Sequence, residues 1–292
     1  MIRSLRAPWI PAILAGVTAL TPVPARAASD VLAKLCDEYW QGFLRAHPVE
    51  ATAIGDRRFD AFLEDNSPAG IAKETKRIEG LLARAKAIAP KPLDAADKLN
   101  RSALIEELGN QIDVASCHLE RWNVDPLNGP QVEFMNLPDF TVITSPEDGS
   151  HYVERCRAMG RYLQNHVANL NDGLPAGLVA NEEAVRKVIE QIDGILSQKK
   201  VADWAVTRPA LEPHERWSDA QRKGFASDLE SAVSEGLKPG LVRYRAFLKD
   251  TILPGARSGA TAGLAAMPGG IDSYRRLIRV HTSLNQTPTE LH

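Results

Sequence analysis

Cysteine is scarce in this sequence, and its scarcity removes two kinds of chemistry. Cys36, Cys117 and Cys156 follow neither the spacing of a zinc knuckle nor the C-x-x-C pattern of a redox pair. An odd number leaves at least one without an intramolecular partner. All three fall in helical patterns, so buried free thiols are expected, with a Cys117–Cys156 bridge as the alternative in an oxidising compartment. Long apolar runs are missing as well: Ile10 to Leu20 is too short, and too broken by proline, to span a bilayer. Neither sign of charge dominates. The 35 basic and 37 acidic residues give a formal charge of −2, which argues against a nucleic-acid partner.

Catalytic signatures are equally thin. A helical zinc hydrolase of the commonest type needs two histidines four apart with a glutamate beside the first, to hold the metal and activate its water. His214-Glu215 lacks the second histidine, and His151 with Glu154 supplies only two ligands. No G-x-S-x-G elbow, Walker lysine loop or G-x-G-x-x-G occurs. Cys117 and His118, adjacent on a helix, point about 100° apart and cannot form a nucleophile and base. No catalytic residue, no metal ligand and no cofactor is assigned to this chain.

The N-terminus carries positive information. Arg3 and Arg6, the apolar run and Ala25-Arg26-Ala27 read as a signal peptide over residues 1–27. Export places the mature protein in the periplasm or outside the cell, with no membrane anchor after cleavage. Losing Arg3, Arg6 and Arg26 takes the formal charge to −5 over residues 28–292. That length suits a single domain with a sizeable core.

Apolar residues then recur with a helical period. Ser29 or Asp30 caps a helix with Leu32, Leu35, Tyr39 and Phe43 on one stripe. Ser67-Pro68 opens a second, with Ile71, Ile78, Leu82 and Ala85 inward, and Asp94 a third that runs through Leu108, Ile112, Ala115, Leu119 and Trp122. Residues 123–144 break the period and read as a long loop. Ser145-Pro146-Glu147-Asp148 starts the clearest helix, with Tyr152, Cys156, Met159, Leu163, His166 and Leu170 facing the core and His166 as its hydrogen-bonded edge. Asn181 and Ser218 cap two more, the latter stopping before Gly236, and Lys238-Pro239 starts another. Residues 255–270, rich in Gly and Ala, read as a linker, and 271–281 as a last helix. The fold class is all-α: an irregular array of eight or nine helices with no sheet. Thr287-Pro288-Thr289-Glu290 forms a capping box with almost no helix behind it. We therefore expect the domain to be the N-terminal part of a longer protein, exposing apolar surface through which it self-associates.

The stretch Phe43-Leu44-Arg45-Ala46-His47-Pro48-Val49-Glu50-Ala51-Thr52-Ala53-Ile54-Gly55-Asp56 resembles the domain-of-unknown-function 885 family of exported bacterial proteins. Asn136-Leu137-Pro138, Asn169-Leu170-Asn171-Asp172-Gly173, Gly177-Leu178-Val179, Pro268-Gly269-Gly270 with Tyr274, and Arg279-Val280-His281-Thr282-Ser283 look like that family in its order, although Ser283 stands where a second threonine is commoner. The resemblance implies a helical, zinc-peptidase-like protein about twice as long, with zinc and its ligands in the second half and a small peptide-like substrate. This half would form the other wall of the groove. Tyr274, His281 and Thr282 would face substrate, while His47, Pro48 and Gly55 would set a structural corner. On the residues alone, Tyr274 fits equally an amphipathic core and His281 the end of a helix that favours positive charge. The alternative function is a non-catalytic periplasmic helical module that binds a peptide or protein partner through a groove floored by residues 123–144.

Overall fold

A computed structural model describes residues 23–291, all helical or irregular, with nine helices of seven residues or more and no strand among them. Residues 1–22, most of the expected leader, lie outside the described residues. The chain runs α1 (Val23–Ala46), α2 (Pro48–Ala53), α3 (Pro68–Ala87), α4 (Ala95–Ala115), α5 (Pro130–Asn136), α6 (Pro146–Gly173), α7 (Glu182–Leu196), α8 (Asp219–Ala232), α9 (Lys238–Phe247), α10 (Gly270–Thr282) and α11 (Pro288–Leu291).

Helix starts follow their caps. The hydroxyl of Ser67 accepts from Gly70 N–H, and Asp94 accepts from Asp97 N–H. Ser145 and Ser218 each close a capping box, with Asp148 and Gln221. Asn181 accepts from two amides. Thr287 and Glu290 also bond reciprocally at the head of α11. Each cap satisfies amide donors that the first turn of a helix leaves unpaired.

Two main apolar cores result, beside a small cluster of Phe43, Leu44 and Ala51 where α1 meets α2. The larger surrounds α6, whose Tyr152, Cys156, Met159, Leu163 and Leu170 meet Val185, Val188 and Ile192 of α7, Phe225 and Leu229 of α8, and Leu241 and Tyr244 of α9. The smaller joins Leu32 and Leu35 of α1 to Ile78, Leu81 and Ala85 of α3 and to Leu104 and Leu108 of α4. A fully buried leucine such as Leu108 contributes about 1.5–3 kcal/mol of transfer free energy. Gly160 of α6 lets α8 and α9 approach: a Cβ there would lie 2.6 Å from the carbonyl oxygen of Gly236.

Several expectations need correction. The helix expected to start at Ser29 or Asp30 is already formed at Val23, the first described residue. It runs across the expected cleavage point. Leu81, not Leu82, is the fully buried member of its pair in α3. The third helix stops at Ala115, because His118 turns left-handed at φ 48°, so Leu119 and Trp122 leave its stripe. The expected loop contains α5, started by Pro130. Gly236 does not end α8: five residues of π-helix carry the chain into α9 without a break. Residues 255–270 are pinned rather than slack, since Arg257 donates to the carbonyls of Val179, Thr261, Ala262 and Gly263. Cys36, Cys117 and Cys156 are all free thiols, so the Cys117–Cys156 bridge does not form.

Candidate functional site

The segment containing His47, Pro48 and Gly55 folds as a corner. Pro48 opens α2, and Gly55 ends it at φ +92°, a conformation that favours glycine. The amide of Asp56 donates to Ala51 O at 2.8 Å, and that of Gly55 to Thr52 O at 3.0 Å, which together make a Schellman motif. A side chain from the other core locks this corner in place. Arg155 of α6, fully buried, donates through Nη2 to Thr52 Oγ1 and Phe59 O, each at 2.8 Å, and through Nε to Phe62 O at 2.8 Å. Thr52 in turn donates to Asp60 Oδ1 at 2.6 Å. Arg57 ties Asp60 to the start of α6 by pairing with Asp148 at 2.7 Å. Desolvation pushes the Asp148 carboxyl up, but donors from Thr144 and Ser145 prevail and hold its pKa at about 2.

The three residues expected to face substrate all lie on α10. Tyr274 and His281 are seven apart, two helical turns, and so share a face. Tyr274 is half-buried, and His281 and Thr282 are exposed. Thr282 spends its hydroxyl locally, donating to Ile278 O and accepting from Leu284 N–H. The basic cluster of this helix is an ion-pairing surface: Arg276 binds Asp113, and Arg279 binds Glu106, both on α4. Between the end of α4 and the start of α10 opens a cleft of about 290 Å³, lined by Cys117, His118, Trp122, Ser273 and Arg276 among others. Tyr274, His281 and Thr282 do not line it.

No three His, Cys, Asp or Glu side chains among the described residues converge as metal ligands would, so the residues present do not fit a zinc centre. His214 is occupied structurally. Its Nε2 lies 2.8 Å from Pro209 O and its ring stacks on Trp217 at 4.2 Å. Glu154 pairs with Arg157 one turn on. His166 lies 3.2 Å from the Tyr244 hydroxyl, and burial pulls its pKa down to about 4, leaving a neutral imidazole at physiological pH.

One group of titratable residues escapes sequence reasoning. Glu64, Glu133 of α5 and Tyr162 of α6 lie near enough to influence one another electrostatically. Glu64 is 3.5 Å from Nδ1 of His47. Glu133 is open to water by area, yet burial, followed by the charges of Glu64 and Asp125, raises its pKa to about 7. No sequence signal marks it: α5 was expected as loop, and Glu64 and Glu133 are 69 positions apart.

The sequence over residues 48–292 matches the family described as a bacterial protein of unknown function, DUF885. The chain belongs to the DUF885 family. Among solved structures this DUF885 chain is similar to a protein from Colwellia psychrerythraea described as a "putative lipoprotein", with 16% identity and a TM-score of 0.76. The superposition covers 92% of this chain and 48% of that one, so this chain spans about half the length of its solved relative. The likeness establishes the all-α fold and extends to no activity. The lipoprotein description belongs to the relative; here the first cysteine is Cys36, inside α1. No described helix is long and apolar enough to cross a membrane. A comparison with curated proteins gives no match.

Proposed function

We propose that this chain forms one wall of the substrate groove of an exported, peptidase-like hydrolase and contributes binding rather than reacting groups. The observation that supports this reading most is one of size. A chain that matches 92% of itself to 48% of a relative occupies the place of one half of a larger helical body. In this reading Tyr274, His281 and Thr282 present the substrate-facing surface of α10, where α4 anchors the helix through Arg276 and Arg279. His47, Pro48 and Gly55 keep the opposite corner rigid. Such a wall supplies binding energy shared by substrate and transition state, which lowers KM without entering bond cleavage.

Residues 28–292 joined to the second half of a longer DUF885 protein provide the test. Peptide hydrolysis by the chimaera, with a KM raised at least tenfold by His281→Ala or Tyr274→Ala and a kcat that barely moves, is the expected result. Unchanged KM in both variants would overturn the assignment of the α10 face.

A further inference from the structure

The cleft between the end of α4 and the start of α10 has an apolar interior. Cys117 and Met267 line it with only 4% and 6% of their surfaces exposed, so two sulfur-bearing side chains form its floor. Trp122, Leu178 and Pro268 form its sides. The indole N–H of Trp122 is spent on Cys117 O at 3.3 Å, which leaves the ring as the part it offers a ligand. Sulfur atoms and an indole face both pack well against a further aromatic ring.

The charges around the cleft are matched within the protein. Arg276 pairs with Asp113 at 2.5 Å, and Asp272 with Arg275 at 3.3 Å, while Nδ1 of His118 lies 3.3 Å from Glu120. An ion entering the cleft therefore meets no unmatched counter-charge, whereas an uncharged group disturbs none of these pairs. Size narrows the choice further. At about 290 Å³ the cleft falls just below the range of sites that enclose whole small molecules, roughly 300–1,000 Å³, and suits one large side chain.

The walls are fixed before anything binds. Sγ of Cys117 lies 3.2 Å from Asp113 O and 3.7 Å from Ser273 O, and Arg276 and Arg279 tie α10 to α4. A cleft already in shape spends little binding energy on ordering. It also opens at the head of the helix that carries His281. Ser273 lines the cleft, and the eight positions from there to His281 span about 12 Å along α10. An extended peptide covers that distance in roughly four residues.

We propose that this cleft is a specificity pocket that receives a large apolar side chain, aromatic before aliphatic, of the peptide-like substrate, about four residues from the part that meets His281. The proposal rests on the reading of α10 as a substrate-facing wall, and it adds the class of side chain that the wall selects.

Methyl-labelled methionine provides a reporter inside the pocket, because Met267 lies in its floor while Met135 and Met159 lie elsewhere. Titration of N-acetylphenylalaninamide into the protein should shift the Met267 methyl resonance saturably and leave the other two in place. N-acetylalaninamide should bind at least about tenfold more weakly, since it buries far less apolar surface. Trp122→Ala and Leu178→Ala should each weaken the phenylalanine probe about fivefold or more, and Leu211→Ala, on an exposed residue away from the cleft, should not. Circular dichroism checks that each variant is folded. No saturable Met267 shift, an equal response to the alanine probe, or binding unaltered in both cleft variants would overturn the proposal. A Met267 shift produced by raising protein concentration alone would also overturn it, by assigning the cleft to a second copy of the chain. In the peptidase chimaera, a Met267 response without hydrolysis would support the pocket and count against the groove-wall reading. A KM that depends on Tyr274 and His281 without a Met267 response would overturn the pocket alone.

Discussion

Arg155 and Thr52 are 103 positions apart in sequence, and the guanidinium of one donates to the hydroxyl of the other at 2.8 Å with both buried. This contact joins the corner after α1 to the central helix of the larger core. Arg155→Ala would leave Asp60, itself only 5% exposed, without its buried counter-charge. Breaking a buried pair in this way typically costs about 3–5 kcal/mol. Arg57→Ala removes two pairs, to Asp60 and Asp148, in which the arginine is 41% exposed, and should cost less, about 1–2 kcal/mol. Urea unfolding of the two variants checks the difference, and equal losses would remove Arg155 from its central place.

Two glycines make opposite predictions. Gly160→Ala drives a methyl group against the carbonyl of Gly236 and should destabilise by roughly 1–3 kcal/mol. Gly194 lies within α7 with nothing near its absent side chain, so Gly194→Ala should stabilise by up to about 1 kcal/mol through helix propensity. Thermal melting of both proteins reads the signs directly.

Stability should depend on pH through two opposing groups. The pKa of His166 is about 4 in the fold, below its ordinary 6.5, so the unfolded chain takes up the proton first. Stability on its account is complete above pH 6.5 and falls as pH drops towards 4. Glu133 titrates at about 7 against an ordinary 4.5, so between those values the folded chain holds the extra proton. On its account stability falls as pH rises from 4.5 to 7. Denaturation of His166→Gln and Glu133→Gln from pH 5 to 8 should flatten opposite slopes relative to wild type. Parallel profiles in all three proteins would contradict these two environments.

Thiol chemistry should rank by burial. Cys156 is completely buried and desolvation pushes its pKa up to about 12, so it should resist a thiol reagent until the protein unfolds. Half-buried Cys36 should react first. Reductant should leave the mass unchanged, since no disulfide joins these residues. Fast modification of Cys156 in the folded protein would show that the α6 core opens readily.

Features governed by a few adjacent residues were legible in the sequence, and features made by distant ones were not. The caps at Ser67, Asp94, Ser145, Asn181, Ser218 and Thr287 are local competitions between a side chain and its own first turn, and each starts a helix where expected. The α6 stripe is equally local, because its period alone selects the buried face. Gly236 looked like a stop because glycine is a weak helix former; its close approach to Gly160 of α6 explains why a residue without a side chain stands there. Arg155 carried no signal at all, since its worth lies in acceptors on the α2 corner that only the fold supplies. The grouping of Glu64, Glu133 and Tyr162 was hidden for the same reason. Tyr274, His281 and Thr282 came from family likeness, and the structure carries all three on α10, outside the lining of the cleft beside Cys117 and Arg276.

The central claim, that this chain supplies a binding wall and not the reacting centre, is tested most directly by assaying purified residues 28–292 for zinc content and peptide hydrolysis together. The account predicts a folded helical protein with no stoichiometric zinc and no cleavage above background. One tightly held zinc per chain, with turnover of peptides at enzymic rates that is lost on chelation, would contradict it.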